Sequence, residues 1–399
     1  MKDDDTRAAG QGLGRNQHAL RDYNERLILT TLSRKGPMAG SEISRATQLS
    51  PQTVSVILRQ LEQDGMLARG TPQRGRVGKP SVPMGLNPAG AYAIGVMVGR
   101  RTTTLILTDF VGKQLLERHI QYDYPMPDPI MAFLRRALKE VREQLGDAGW
   151  DRISGIGVAK PYEIWAWHDN LGAPQEDLEA WKSFDFETAL SEICPFRVHV
   201  ENDATSAAQA EQIHGSGRAY SNYAYFFVGA FIGGGVILKD AVFTGPFSNA
   251  GAFGSLPVAP DGDTPRQLID VASLFLLEVR LRDAGQSADG LWDADTDWSA
   301  FEPVLSDWIE DAGRHLALAA LTVSSVIDFE AVVVDGAFPA EVRKRLVAAM
   351  AQTLEGLDKR GLRVPDLTEG SIGRNARAIG AAAYPVHATF FTTPHAQDG

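Results

Sequence analysis

Three patterns in the sequence predict the fold class of this chain, which is α/β. Residues 41–80 have the pattern of a helix, a turn and a second helix, followed by a segment rich in arginine and glycine. After Pro88, apolar strands alternate with amphipathic helices. The length of 399 residues also leaves room for two or three domains. Together these patterns predict an N-terminal winged helix-turn-helix followed by a body of two α/β lobes.

The boundaries follow from changes in composition along the chain. Residues 1–19 are polar, and we expect them to form a disordered arm. Residues 20–88 contain the winged helix-turn-helix pattern, which begins with a helix from Asn24 to Ser33. Residues 89–399 form the two-lobed body, to which we assign effector sensing and dimerisation.

The second helix of the helix-turn-helix has clear signals at both ends. Ser50 is a good N-cap and Pro51 suits the first helical position, where a missing N–H costs nothing. Gly65 follows the helix as a C-cap glycine would. Apolar residues recur at three- and four-residue spacings and predict one buried face, formed by Val54, Ile57, Leu58 and Leu61.

The opposite face of this helix carries side chains that can hydrogen-bond to base edges or phosphates. These candidate DNA-binding residues are Ser50, Gln52, Thr53, Ser55 and Arg59. The wing adds three cations on a flexible backbone, which suits phosphates or a minor groove: Arg74, Arg76 and Lys79. The alternative interpretation is an ordinary helical hairpin with a solvated face, but the third helix and the basic wing disfavour it.

Charge separates the two parts of the chain and limits the possible partners. Residues 1–90 carry 13 Lys and Arg against 8 Asp and Glu, whereas the whole chain has a net charge of −11. A basic head on an acidic body confines DNA contact to the head. The single cysteine excludes a disulfide framework, and the polar start predicts no secretory signal. The longest apolar run, Ala224 to Leu238, is too short for a membrane span, so we expect a cytoplasmic protein without membrane contact.

The body begins with a predicted meander of strands, which is followed by mixed strands and helices. The predicted strands are Ala91–Gly99, Thr103–Asp109, Lys113–Tyr122, Ile153–Ala159, Val198–Val200, Tyr223–Gly229, Gly235–Lys239 and Ala331–Val334. We expect the strands Tyr223–Gly229 and Gly235–Lys239 to flank a glycine turn. The predicted helices are Pro129–Gly146, Asp203–His214, Gln267–Ala284, Trp298–Val323 and the small-residue segment Gly373–Ala383.

Three motifs in the body carry a resemblance to a known family. They are Glu201-Asn202-Asp203-Ala204, Ile232-Gly233-Gly234-Gly235 and Asn249-Ala250-Gly251-Ala252-Phe253-Gly254. A winged helix followed by a body with these motifs resembles the ROK family of repressors, open reading frames and sugar kinases. The resemblance extends over nearly the whole chain and implies an actin-like, sugar-kinase fold with a cleft between its lobes.

This chain departs from the kinase members at each phosphate loop. The resemblance implies an acidic residue where Met97 stands, and a methionine cannot organise magnesium. It implies a Gly-Thr-Gly run where this chain has Gly229-Ala230-Phe231. Near the adenosine pocket it implies a Gly-Gly pair where this chain has Asp335-Gly336. Phosphoryl transfer depends on such positioning. We therefore expect no enzyme activity, no catalytic residues and no cofactor.

The sugar and zinc elements of the family are altered as well. The resemblance implies a sugar-binding Glu and a zinc-binding His where this chain has Ala252 and Ser255, and residues 263–273 contain no cysteine. We therefore expect no structural metal. The residues left to bind a carbohydrate-like effector are Asn202, Asp203, Gly233, Gly234 and Asn249. The alternative is that Asn202 and Asp203 only cap the next helix.

The sequence as a whole predicts a regulator of transcription. We expect it to bind a palindromic operator as a homodimer or higher homo-oligomer, and to repress genes of carbohydrate uptake or catabolism. Two alternatives remain open. The body is a degenerate sugar kinase with residual activity, or it is only a dimerisation scaffold for a constitutive DNA-binding protein.

Overall fold

The computed structural model describes residues 21–72, 82–162, 164–167, 173–261, 264–293 and 295–392. The N-terminal domain has three helices: α1 over residues 21–35, α2 (Gly40–Thr47) and α3 (Pro51–Gln63). Two short strands follow, β1 (Leu67–Arg69) and β2 (Met84–Leu86), which pair antiparallel. This arrangement of helices and strands is the predicted winged helix-turn-helix, with residues 73–81 between its paired strands.

Local chemistry sets both ends of α3. The Ser50 hydroxyl accepts a hydrogen bond from the backbone N–H of Thr53 at 3.1 Å, which satisfies a donor left free at the helix start. At the other end Gly65 has a φ of +75°. The N–H of Gly65 donates to the carbonyl of Glu62, and that of Met66 to the carbonyl of Leu61. These two bonds form a Schellman motif, which favours glycine because of the positive φ.

The first lobe is built on a five-stranded sheet with strand order β5-β4-β3-β6-β7. Strands β3, β4 and β5 form an antiparallel meander, and β6 and β7 extend the sheet in parallel with β3. The strands are β3 (Tyr92–Val98), β4 (Thr102–Asp109), β5 (Gln114–Gln121), β6 (Ile153–Lys160) and β7 (Val198–Asn202). The helices of this lobe are α4 (Pro127–Trp150), α5 (Gln175–Leu178) and α6 (Phe186–Ser191). The long α4 buries Ile130, Leu134 and Val141 against the sheet.

The second lobe has its own five-stranded sheet, with strand order β10-β9-β8-β13-β14. Its strands are β8 (Tyr223–Val228), β9 (Ile232–Leu238), β10 (Ala241–Phe243), β13 (Ala331–Gly336) and β14 (Asp366–Glu369), and a separate hairpin pairs β11 (Pro257–Asp261) with β12 (Thr264–Gln267). The remaining helices are α7 (Asp203–His214), α8 (Ile269–Ala272), α9 (Leu274–Asp283), α10 (Val304–Val326), α11 (Ala340–Gly356) and α12 (Ala376–Phe390).

The C-terminal helix α12 lies against the sheet of the first lobe and against α7. A Cβ at Gly95 or Gly157 would overlap the backbone carbonyl of Ala378 or Ala381, and a Cβ at Gly380 would overlap the carbonyl of Ser206. Small residues therefore allow α12 to approach its neighbours closely. The hydrophobic core of the winged domain continues through α12 into the body.

The prediction that the residues between Gly229 and Gly235 form a glycine turn is wrong. Strand β9 begins at Ile232, so that Gly233 and Gly234 lie within the strand and not in the turn. A Cβ at Gly233 would lie 2.8 Å from the Cβ of Ala204, and one at Gly234 would overlap the Phe253 ring. These glycines are needed for close packing of the strand and not for a bend in the chain. The helix predicted over 267–284 is also divided, since Ser273 adopts an extended conformation between α8 and α9.

Candidate DNA-binding surface and effector cavity

Helix α3 buries the predicted apolar face and exposes the predicted polar one. Val54, Ile57, Leu58 and Leu61 are buried in the core of the winged domain. Gln52, Ser55 and Arg59 are exposed, whereas Thr53 is half-buried. The Ser50 and Thr53 hydroxyls lie 2.8 Å apart, so these two side chains are engaged with each other at the helix start. This leaves Gln52, Ser55 and Arg59 as the freest polar side chains of the face.

Three residues of this surface were not predicted from the sequence. Val56 is 57% exposed on α3, and an apolar side chain in that place can contact a thymine methyl group. Arg45 of α2 and Arg69 of β1 line a groove of about 620 Å³ together with Ser55 and Arg59. Arg69 is held by Glu62 through two hydrogen bonds of 2.6 and 2.9 Å. Arg59 has no hydrogen-bond or ion-pair partner among the residues that the structure describes.

The three predicted cations of the wing, Arg74, Arg76 and Lys79, lie outside the described residues. The strands that precede and follow them are paired in register, with Arg69 opposite Met84. The N–H of Gly70 also donates to the carbonyl of Pro83 at 2.8 Å. The described residues on either side of this segment therefore lie next to each other, beside the groove that Arg69 and Arg59 line.

The five predicted effector residues all line one cavity, of about 160 Å³, between the lobes. Asn202 and Asp203 reach it from the end of β7 and the start of α7, whereas Gly233, Gly234 and Asn249 reach it from the second lobe. We call this space the effector cavity. It has aromatic walls as well, formed by Phe227, Phe231 and the exposed Tyr162.

The polar atoms of Asn202 and Asp203 are partly engaged within the protein. The Asn202 side-chain oxygen accepts from the backbone N–H groups of Ala204 and Thr205, at 3.0 and 3.2 Å, and so caps α7. The Asp203 carboxylate accepts from the guanidinium of Arg377 at 3.2 Å. Arg377 lies 174 residues further along the chain and was missed by sequence reasoning. A ligand would have to share Asp203 with this arginine.

The positions that correspond to the phosphate loops and the adenosine pocket of the kinases hold groups with other partners. Met97 is buried in the core that links β3 to α12. The Phe231 ring lies 4.4 Å from the guanidinium carbon of Arg100. Asp335 is fully buried and accepts from Arg343 at 2.9 Å and from the backbone of Gly373 at 2.7 Å. Burial raises the pKa of Asp335, and these donors oppose that shift.

The winged domain is attached to the body through the end of α12. The backbone N–H of Thr392 donates to the Thr30 hydroxyl at 2.9 Å, and Arg218 donates to the carbonyl of Arg34 at 2.8 Å. Phe110 and Phe391 of the body stack with centroids 5.7 Å apart and share a core with Leu32 of α1. These contacts of the winged domain with the body lie near the C-terminal ends of α7 and α12.

Helix α7 begins at the effector cavity, and α12 begins beside it, where Arg377 contacts Asp203. Helix α7 begins at Asp203 and ends at His214, whereas α12 carries Arg377 near its start and His387 near its end. His214 and His387 line a cavity of about 230 Å³ beside α1. Two rigid elements thus run from the effector cavity to the junction with the winged domain.

Two further properties of the described residues bear on the class of protein. They contain no group of three or more His, Cys, Asp or Glu side chains placed to hold a metal ion. No helix in the described ranges has the length and apolar character needed to cross a membrane. The fold and the two candidate sites define a two-domain protein, in which a winged helix-turn-helix precedes a two-lobed body of the sugar-kinase type.

Comparisons with known proteins agree with this class. Residues 93–267 match the ROK family, and residues 21–67 match a winged helix-turn-helix DNA-binding domain. The chain therefore contains a ROK family domain preceded by a winged helix-turn-helix domain.

Individual relatives cover different parts of the chain. The uncharacterized protein y4fQ of Sinorhizobium fredii is 25% identical over 94% of each chain. The xylose repressor of Bacillus subtilis is 23% identical over 62% of this chain and 63% of its own length. A ROK family transcriptional regulator, described as a homologue of the E. coli MLC protein, has a similar fold with a TM-score of 0.67, 20% identity and coverage of 93% and 97%. A ROK family glucokinase from Streptomyces griseus has a similar fold, with a TM-score of 0.58 and 19% identity. The similarity covers 74% of this chain and 99% of the glucokinase.

Proposed function

We propose that this chain is a sequence-specific, DNA-binding transcriptional regulator, and that it represses genes of carbohydrate uptake or catabolism. The exposed face of α3 carries this proposal, because Gln52, Ser55, Val56 and Arg59 project from a helix whose other face is buried. Such a helix offers both hydrogen-bonding and apolar groups to the major groove. The similarity to a xylose repressor supports the same function.

We further propose that a carbohydrate-like ligand binds in the effector cavity and changes the position of the winged domain. The cavity contains groups that hydrogen-bond to hydroxyls, and Tyr162 and Phe231 offer rings for stacking. A hydroxyl that competes for Asp203 would weaken its 3.2 Å contact with Arg377. Because Asp203 begins α7 and Arg377 lies near the start of α12, the ligand would act on both helices that reach the winged domain. It shifts the equilibrium only if it prefers one arrangement of the lobes.

We propose that the body does not transfer phosphoryl groups. Met97 cannot hold magnesium, Asp335 is already engaged with Arg343, and Asp203 is paired with Arg377. A sugar hydroxyl would therefore have to compete with Arg377 for the Asp203 carboxylate. An assay for ATP consumption with magnesium and a panel of hexoses tests this point, and turnover that disappears in Asp203→Asn would contradict it.

A homodimer on a palindromic operator is the assembly that we propose, because one helix-turn-helix makes few base contacts. Selection of genomic DNA fragments by the purified protein tests the proposed function directly. Enrichment of a palindrome beside genes of carbohydrate transport or catabolism would support it. Binding that is equal for all sequences would contradict it.

The competing function, a constitutive DNA-binding protein with the body as scaffold, is favoured by one observation. The Asn202 side-chain oxygen caps α7 and Asp203 is paired, so both polar groups already have partners. A thermal-shift panel of sugars and polyols separates the two functions. An effector at 100 times its Kd stabilises the protein by about 2.7 kcal/mol, whereas a scaffold would respond to no member of the panel.

A further inference from the structure

The junction between the winged domain and the body contains a cavity that is separate from the effector cavity and from the DNA-binding surface. Its volume is about 480 Å³, which lies in the range of about 300–1,000 Å³ usual for ligand pockets. Helix α1 of the winged domain forms one wall, with Thr30, Ser33 and Arg34. Helices α7 and α12 and strand β10 of the body form the others. We call this space the junction cavity.

Two arginines give the junction cavity an excess of positive charge. The guanidinium of Arg34 has no hydrogen-bond or ion-pair partner among the described residues. Arg218 donates to the backbone carbonyl of Arg34 at 2.8 Å, and no carboxylate in the described ranges pairs with it. Asp240 also lines the cavity, and its carboxylate accepts from the Ser221 hydroxyl at 2.9 Å. The described wall thus has two arginines against one carboxylate.

The histidine in the wall adds no further charge near neutral pH. Burial lowers the pKa of His387 to about 3, and the charges of His214 and Arg34 add to this shift. The imidazole of His387 is therefore neutral at pH 7. The positive charge of the cavity comes from Arg34 and Arg218 alone among its described lining residues.

The wall also contains a buried acceptor that lacks a donor. The side-chain nitrogen of Gln212 donates to the backbone carbonyl of Asp240 at 3.2 Å, which sets the orientation of the amide. The side-chain oxygen of Gln212 is buried and accepts from no group in the described structure. An unpaired buried acceptor is unfavourable because it has lost its hydrogen bonds to water. A ligand that brings a hydrogen-bond donor would remove this cost.

Apolar side chains complete the junction cavity. Ile213 of α7 and Val242 of β10 contribute aliphatic surface, whereas Tyr384 and Phe391 contribute rings. The side of α12 that carries Tyr384 is open to the cavity, and Tyr384 is 41% exposed. An exposed tyrosine ring offers a flat surface on which a planar ligand can stack. The cavity therefore joins cations, an acceptor and aromatic surface in one space.

We propose that the junction cavity binds a small aromatic hydroxy acid. The carboxylate of such a ligand would accept from Arg34 and Arg218, because a guanidinium matches the two oxygens of a carboxylate. Its ring would lie against the apolar wall, and its hydroxyl would donate to the free side-chain oxygen of Gln212. A neutral sugar would leave both arginines without a counter-charge.

A ligand in this place would contact both domains. Arg34 belongs to the winged domain, whereas Gln212 and Tyr384 belong to the body. The bound ligand would therefore favour the present arrangement of the two domains over any other. An effect on operator binding rests on the proposed function, but the binding itself does not. The test below uses no DNA, so its failure would leave the proposed regulatory function standing.

Calorimetric titration and thermal unfolding of the full chain test this site, with para-hydroxybenzoate as the probe. Sodium chloride at matched ionic strength provides the reference. We expect binding to one site per chain and a rise in Tm. The probe para-hydroxybenzamide lacks the charge and should bind at least about tenfold more weakly. Benzoate lacks the hydroxyl and should bind about fivefold more weakly. Acetate lacks the ring and should raise the Tm no more than chloride does.

Variants on both sides of the junction locate the bound probe. Arg34→Gln removes the cation of the winged domain, and we expect at least about a tenfold weaker affinity. Lys35→Gln removes the neighbouring exposed cation of α1, which does not line the cavity, and should bind within about twofold of the parent. Ala388→Phe fills the cavity from an exposed position of α12 without changing the charge, and should abolish binding.

Three results would overturn the proposal. The first is a Tm that rises no more with para-hydroxybenzoate than with chloride. The second is parental affinity in Arg34→Gln or in Ala388→Phe, since the probe would then bind elsewhere, for example in the effector cavity. The third is equal weakening in Arg34→Gln and Lys35→Gln, which would indicate attraction by overall charge. If Ala388→Phe does not fold, Ala241→Leu fills the same cavity from β10 and provides the comparison.

Discussion

Arg59 is the exposed cation of α3 and has no partner in the described structure, so that its guanidinium is free to contact DNA. We expect Arg59→Ala to weaken operator binding by about 1–3 kcal/mol if the side chain contacts a base edge. The loss would then be confined to particular operator positions. A phosphate contact would instead weaken all sequences and reduce the salt slope by about one. Titration of operator variants at several salt concentrations distinguishes these cases, with Arg314→Ala on the body as the control of equal charge.

Ser50 has a structural role that can be separated from DNA contact. Its hydroxyl caps α3 at the N–H of Thr53, so Ser50→Ala should reduce the free energy of unfolding by about 1 kcal/mol. Ser50→Asp preserves a capping oxygen and should retain stability, but it places a negative charge beside the DNA-binding face. Denaturant unfolding and operator titration of both variants test this separation. Equal operator affinity for Ser50→Asp and the parent would show that Ser50 does not contact DNA.

Local residue roles were predictable from sequence, whereas distant partners were not. The caps at Ser50 and Asn202 depend on residues within three positions, and the sequence pattern contains that information. The partner of Asp203 is Arg377, which lies on another helix of the fold and leaves no local signal. Val56 was overlooked because an apolar residue next to a buried face was not considered as a contact residue. Its place outside the three- and four-residue spacing of the buried positions was the available signal.

The packing of α12 depends on glycines of its neighbours. A Cβ at Gly157 would overlap the carbonyl of Ala381, and a backbone atom cannot move aside as a flexible side chain can. We therefore expect Gly157→Ala to lower the free energy of unfolding by at least about 1–3 kcal/mol. Gly356 has open space around its Cα, so Gly356→Ala should be neutral or stabilise α11 by up to about 1 kcal/mol. Equal unfolding midpoints for these two variants would contradict the packing argument.

Elements with strong signals at their ends were predicted well, and those defined by tertiary contacts were not. Helix α7 was predicted at its observed bounds because Asn202 caps its start and Gly215 follows its end. Strand β14 and the β11–β12 hairpin are short and gave no clear period. The glycines of β9 were interpreted as a turn because glycine favours turns, but Gly233 lies against Ala204 of α7. This use of glycine depends on a neighbouring helix and is not visible in the local sequence.

At the scale of the whole molecule, the effector cavity and the winged domain are connected by rigid elements. Helices α7 and α12 pack along each other through Ser206 and Gly380 and run from the Asp203–Arg377 pair to α1. The charge division of the chain, with a basic head on an acidic body, directs DNA to the end of the molecule that these helices support. The proposed ligand site and the proposed DNA-binding surface are thus joined by packed helices, which is the arrangement that the proposed coupling requires.

Two histidines make the junction at the ends of these helices sensitive to acid. Burial lowers the pKa of His387 to about 3 and that of His214 to about 4. Each imidazole also lies near a cation, Arg34 or Arg218 respectively, and Asp109 lines the same cavity. Because both histidines are held neutral in the folded protein, their contribution to stability is complete above the unfolded pKa of about 6.5. It is lost as the pH falls from there towards 4 for His214 and towards 3 for His387.

We therefore expect the Tm to fall between about pH 6.5 and pH 4 more steeply in the parent than in His387→Phe, which keeps a ring beside Phe391 but cannot be protonated. Each unit by which the pKa of His387 lies below its unfolded value contributes about 1.4 kcal/mol to the pH dependence of the free energy of unfolding. The variant loses this contribution. His119→Gln replaces an exposed histidine on β5 and should keep the parental pH profile. If His387→Phe and the parent lose stability in parallel over this range, protonation of His387 does not cause the loss of stability. In that case His214→Gln must alter the pH profile.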